Sequence, residues 1–130
     1  MSLNSFILMS DTTGLIEKIG TPVLVDGLFA QSKGMHTISI HTTNFVGRVY
    51  IEASLAKTPE ENDWFTINLN GGTAYVQYPK VTPKVEIDAF QFKGNFNWIR
   101  ARMDRSNLGY EPSQQQLLSL GTVNKILLSR

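Results

Sequence analysis

An all-β antiparallel fold is what this sequence predicts, a sandwich or barrel of about eight to ten short strands. Three observations predict it. Apolar and polar residues alternate with period two in one segment after another. No long stretch follows the 3.6-residue period of an amphipathic helix. Turn-forming residues recur between the alternating runs, at 26–27, 44–47, 55–63, 70–72 and 79–83.

In chain order, SFILMS (5–10) and TPVLVD (21–26) are the first strand candidates. In HTISIHT (36–42), Ile38 and Ile40 point one way while Thr37, Ser39 and His41 point the other. In GRVYIEASL (47–55), Val49, Ile51, Ala53 and Leu55 share one face, and Arg48, Tyr50, Glu52 and Ser54 share the opposite one. WFTINL (64–69) sets Phe65, Ile67 and Leu69 against Trp64, Thr66 and Asn68. TAYVQY (73–78) and TVNKILLS (122–129) complete the set outside the aromatic segment considered next. Residues 104–121 break the pattern: Ser113 with Gln116 forms a capping box for one short helix closed by Gly121, with a long ordered loop as the other reading. One-sided alternation suits antiparallel sheets with one solvated face.

FQFKGNFNWIRARM (90–103) reads as a β-hairpin. A three-residue loop over 93–95, with Asn95 left-handed, opposes Phe92 to Phe96, Phe90 to Trp98, Asp88 to Arg100 and Glu86 to Arg102. The other face then pairs Gln91 with Asn97, Ala89 with Ile99, Ile87 with Ala101 and Val85 with Met103. A two-residue loop at Gly94-Asn95 would oppose Ile87 to Arg102 and Ala89 to Arg100 instead, so the longer loop is preferred. The aliphatic face is then core, and Arg100 and Arg102 are satisfied by Asp88 and Glu86. The aromatic face is either covered by another segment such as 105–120 or is a contact surface. On the second reading Phe90, Phe92, Phe96 and Trp98, joined by Tyr75 and Tyr78, form an interface.

At 130 residues the chain fits a single domain spanning 1–130. It has no Cys, which excludes thiol catalysis and Cys-ligated zinc. Twelve basic and 11 acidic residues leave a net charge of +1, which does not suggest a nucleic-acid partner. No apolar run approaches the roughly 20 residues that span a bilayer, so no membrane is expected. The start, MSLNSFILMSDTTG, lacks a basic region and its apolar run FILM is short, so a cleavable signal peptide is not expected.

The motifs that carry common enzyme chemistry, a P-loop, GxGxxG, GxSxG or HExxH, are absent. His36 and His41 lie on opposite faces of one strand and cannot share a metal. Glu60, Glu61 and Asp63 could offer oxygens to Ca²⁺, but their spacing is not that of an EF-hand and a solvated turn explains them as well. No enzyme, cofactor or metal is therefore expected. Trp64 is outward by alternation beside Glu60 and Asp63; it is either covered by a loop or a stacking platform for a glycan.

YIEASLAKTPEENDWFTI (50–67), FKGNFNWIRARM (92–103) and GTVNKILLSR (121–130) resemble segments of small structural proteins of tailed-bacteriophage virions. The same layout is similar to galactose-binding-like sandwiches, whose ligand loops sit at one end of the sheets. The resemblance implies a jelly-roll-like β-sandwich that builds or decorates a capsid, neck, tail or fibre, assembled in the host cytoplasm. It implies homo-oligomers and other virion proteins as partners. The alternative is a carbohydrate-binding module using Trp64, Glu60 and Asp63. No catalytic residue is carried over from either family.

Overall fold

In the computed structural model, which describes residues 5–25, 34–69, 73–78 and 84–129, two antiparallel sheets pack together as a β-sandwich. The turn signals at 26–27, 70–72 and 79–83 lie outside the described residues. The strands are β1 (Ser5–Ser10), β2 (Glu17–Ile19), β3 (Val23–Leu24), β4 (Met35–Thr43), β5 (Gly47–Ser54), β6 (Phe65–Ile67), β7 (Val76–Tyr78), β8 (Val85–Lys93), β9 (Trp98–Asp104) and β10 (Thr122–Ser129). An α-helix, α1 (Gln114–Ser119), precedes β10. Sheet one runs β1-β10-β4-β8. Sheet two runs β2-β9-β5-β6, with β3 also on β9 and β7 also on β5.

The alternation sets which faces meet. Ile38 and Ile40 from β4 and Ile126 and Leu128 from β10 face Val49, Ile51 and Ala53 from β5 and Ile99, Ala101 and Met103 from β9, all buried in one cluster. Each fully buried Val, Ile, Leu or Met side chain here stabilises the fold by about 1.5–3 kcal/mol. Leu55 lies beyond the end of β5 and is exposed rather than part of that face. Leu8 and Met9 are adjacent yet both buried, because the β1–β10 register shifts between Ile7 and Met9. A bulge of this kind turns a second successive side chain inward.

The helix forms where its capping box stands. Ser113 Oγ accepts from Gln116 N at 3.2 Å, and Gln116 Oε1 accepts from Ser113 N at 2.8 Å. Leu117 and Leu120 then pack on Val46 and Leu108 in a second, smaller cluster. Gly121 follows at φ 71, with the Asn44 carbonyl oxygen only 2.2 Å from where a Cβ would lie. Only glycine lets the chain pass so close to the β4–β5 turn. Arg105 locks this region from below: its Nη1 donates to Leu117 O at 3.1 Å and its Nη2 to Gly121 O at 2.7 Å. Burial pushes this guanidinium down to about 10, so it remains charged at neutral pH.

The expected hairpin does not form. β8 pairs with β4 from Met35↔Lys93 to Thr43↔Val85, and β9 pairs with β5 from Arg48↔Asp104 to Ser54↔Trp98. Residues 94–97 cross from one sheet to the other, held by Gly94 N to Gly34 O at 2.9 Å and Asn97 N to Ser54 O at 3.0 Å. Asn95 is not left-handed; among the described non-glycine residues that conformation belongs to Asn44, at φ 53. The reason is that β4 and β5 each offer a long ladder and a core face, which two arms paired only with each other could not have. The aliphatic face therefore divides. Ile99, Ala101 and Met103 on β9 are core, whereas Val85, Ile87 and Ala89 on β8 point outward. The expected pairs Asp88–Arg100 and Glu86–Arg102 are likewise replaced. Arg100 bonds Glu52 and Glu61, Arg102 bonds Glu52 and Asp104, Asp88 accepts from Tyr78, and Glu86 meets Lys84.

Candidate functional site

The six aromatics expected to share an interface do not share a face. Phe92 and Tyr78 are buried in the core, and Phe90 and Phe96 pack against it. Phe92 and Phe96 surround His36, whose ring lies 5.3 and 5.7 Å from theirs. Burial lowers the His36 pKa against the opposing effect of the Gly94 carbonyl, so the neutral ring donates from Nε2 at 3.1 Å. Tyr78 meets Phe45 edge-on, and burial together with Asp88 raises its phenol well above the usual range. These four rings therefore lie in or against the core rather than together on one solvent face. Tyr75 and Trp98 remain, and both belong to the solvent face of sheet two.

That face is built from alternate residues of β5 and β9. Its centre is Glu52, buried beneath two arginines, accepting from Arg100 Nε at 2.7 Å and Arg102 Nε at 3.2 Å. Each arginine also lies over an aromatic ring: Arg100 over Trp64 at 4.3 Å and Arg102 over Tyr50 at 4.0 Å. Arg48 lies over Tyr75 at 4.1 Å, and Tyr75 meets Tyr50 edge-on. Burial alone would lower the Arg100 pKa, but Glu61 and Glu52 outweigh it and hold that group above its ordinary value.

At the Arg100 end the face opens into a cleft of about 300 Å³, lined by Pro22, Thr58, Pro59, Glu60, Glu61, Trp64, Trp98 and Arg100. β5 runs between β9, which begins at Trp98, and β6, which Trp64 immediately precedes, since Ala53 pairs with Phe65 and Ser54 with Trp98. The loop after β5 rises over them and accepts from Trp98 Nε1 through Lys57 O at 3.1 Å. Glu60 and Asp63 are tied into a one-turn cap, with Glu60 N donating to Asp63 Oδ2 at 2.7 Å. Asp63 is therefore a loop-shaping residue, while Trp64 and Glu60 line the cleft. Glu61 Oε1 accepts from Arg100 Nη2 at 3.0 Å, which holds its carboxyl below the usual carboxylate range. Among the described residues no group of three His, Asp or Glu side chains gathers as a metal site. Arg100 and Pro22 were not readable as cleft residues. Arg100 has acids nearer in sequence, and nothing in TPVLVD marks a wall.

The solvent face of sheet one is different. Register places Ile7, Leu127, Ser39 and Ala89 in one row, Lys125, His41 and Ile87 in the next, and Thr43 beside Val85 beyond. Val85 is 75% exposed, Ile87 64% and Ile7 63%. Among the described residues, no helix is long and apolar enough to cross a membrane.

No protein family, no curated protein and no solved structure matches this chain.

Proposed function

We propose that this protein works by contact rather than catalysis, as a structural and assembly part that joins copies of itself through sheet one. The observation that supports this most is the state of β8, which ends sheet one among the described residues. Edge strands that stay unpaired are usually protected by a bulge, a proline or inward charges. β1, the opposite edge, carries a bulge at Ile7/Met9. β8 carries Glu86 and Asp88 on its inward face, but it is nine residues long, contains no proline, and keeps an unbroken register with β4 from Val85 to Lys93. It also presents Val85, Ile87 and Ala89 to solvent. A second β8, antiparallel across a two-fold axis, would continue the ladder and set these side chains beside their counterparts on the partner strand, an isologous contact. The resemblance of 50–67, 92–103 and 121–130 to phage virion proteins supplies the setting: a capsid, neck, tail or fibre part assembled in the host cytoplasm.

Ile87→Lys tests this directly. Light scattering across a concentration series should show an oligomer for the unmodified chain. The variant should need at least about ten-fold more protein to associate, a loss near 1.4 kcal/mol. Leu118→Lys, an exposed change on α1, should leave association unaltered. A chain that is monomeric at every concentration overturns the proposal, as does association that ignores Ile87→Lys.

A further inference from the structure

We infer that the cleft between Trp64 and Trp98 binds one ring of a neutral sugar. This does not depend on self-association through β8, because the cleft lies on the other sheet. Both walls are fixed before any ligand arrives. Trp98 is held by its indole N–H to Lys57 O, and Trp64 by the Arg100 guanidinium against its ring. Pre-set walls reduce the ordering cost of binding, and the cleft's size falls at the small end of ligand sites. Pro22 and Pro59 extend its apolar lining. A pyranose has one face of C–H groups, which suits an indole, and an equatorial rim of hydroxyls.

Charge selects among ligands that a tryptophan cleft might take. A quaternary ammonium favours a cage of rings and acids, but here Arg100 stands within the lining. A uronate or sialate would favour the arginine, but Arg100 already has Glu52 and Glu61 as partners, and Glu60 lines the same cleft. Either net charge meets a like charge. A hydroxyl both donates and accepts, so a neutral ring can donate to Glu60 or Glu61 while accepting from Arg100. The Glu61 side chain is 79% exposed, free to shift toward such a ligand while Glu52 keeps Arg100 in place.

The test is an array of glycans ending in neutral, uronate or sialate residues, probed with the full chain and two variants. Trp98→Ala removes one wall. Thr58→Trp fills the cleft from an exposed loop position and leaves the strands untouched, which guards against a variant that fails to fold. The expected result is retention on neutral termini, reduced at least ten-fold in both variants where both fold, and in Thr58→Trp alone if Trp98→Ala does not. Retention on no glycan, on charged termini only, or equally by Thr58→Trp overturns the inference.

Discussion

Glu52→Ala is expected to destabilise the protein by about 3–5 kcal/mol, the cost of removing one partner from a buried charge pair. The size follows from burial. Arg100 and Glu52 side chains are both almost wholly enclosed, and Arg102 shares the same carboxylate. Removing Glu52 leaves Arg100 with Glu61, an exposed loop acid, and Arg102 with Asp104. Denaturant unfolding reads this as a lower midpoint with an unchanged slope. The informative contrast is Glu86→Gln, which breaks only the exposed contact with Lys84 and should change stability by under about 1 kcal/mol. If the two substitutions cost the same, Glu52 is not the centre of the face.

Arg105→Ala should cost a comparable amount, about 3–5 kcal/mol, by another route. Arg105 is among the largest fully buried side chains and lies over the Phe45 ring at 5.1 Å. Truncation opens a cavity and strips the donor from the carbonyls of Leu117 and Gly121. Relief from burying a charge offsets part of this, since no carboxylate faces Arg105 among its bonded partners. The loss should be uneven along the chain. Limited proteolysis should cut first within 106–121, the segment the guanidinium holds, while the two sheets remain folded. Uniform resistance along that segment would show that α1 is held by Leu117 and Leu120 alone.

The strands were legible because each buries one face, and alternation records that directly in Val49, Ile51 and Ala53 or in Ile38 and Ile40. The helix was legible because Ser113 and Gln116 cap each other locally. β2 was not, since three residues are too few to show a period. The partners of β8 and β9 were not legible either. Cross-strand pairing within 85–103 looked self-consistent, yet β4 and β5, far away in sequence, offered longer ladders and a core. That one substitution of partners moved Arg100 and Arg102 onto Glu52 and turned Ile87 to solvent. The cleft was half legible: Trp64 and Glu60 stand out beside a loop, whereas hairpin pairing sets Trp98 against Phe90 and Arg100 against Asp88.

Hydrogen–deuterium exchange as a function of protein concentration asks most directly whether β8 is a joint. Amides of 85–93 should become more protected as concentration rises, while those of β1, the bulged edge, exchange at a constant rate. Exchange along β8 that is the same at every concentration would contradict assembly through this edge.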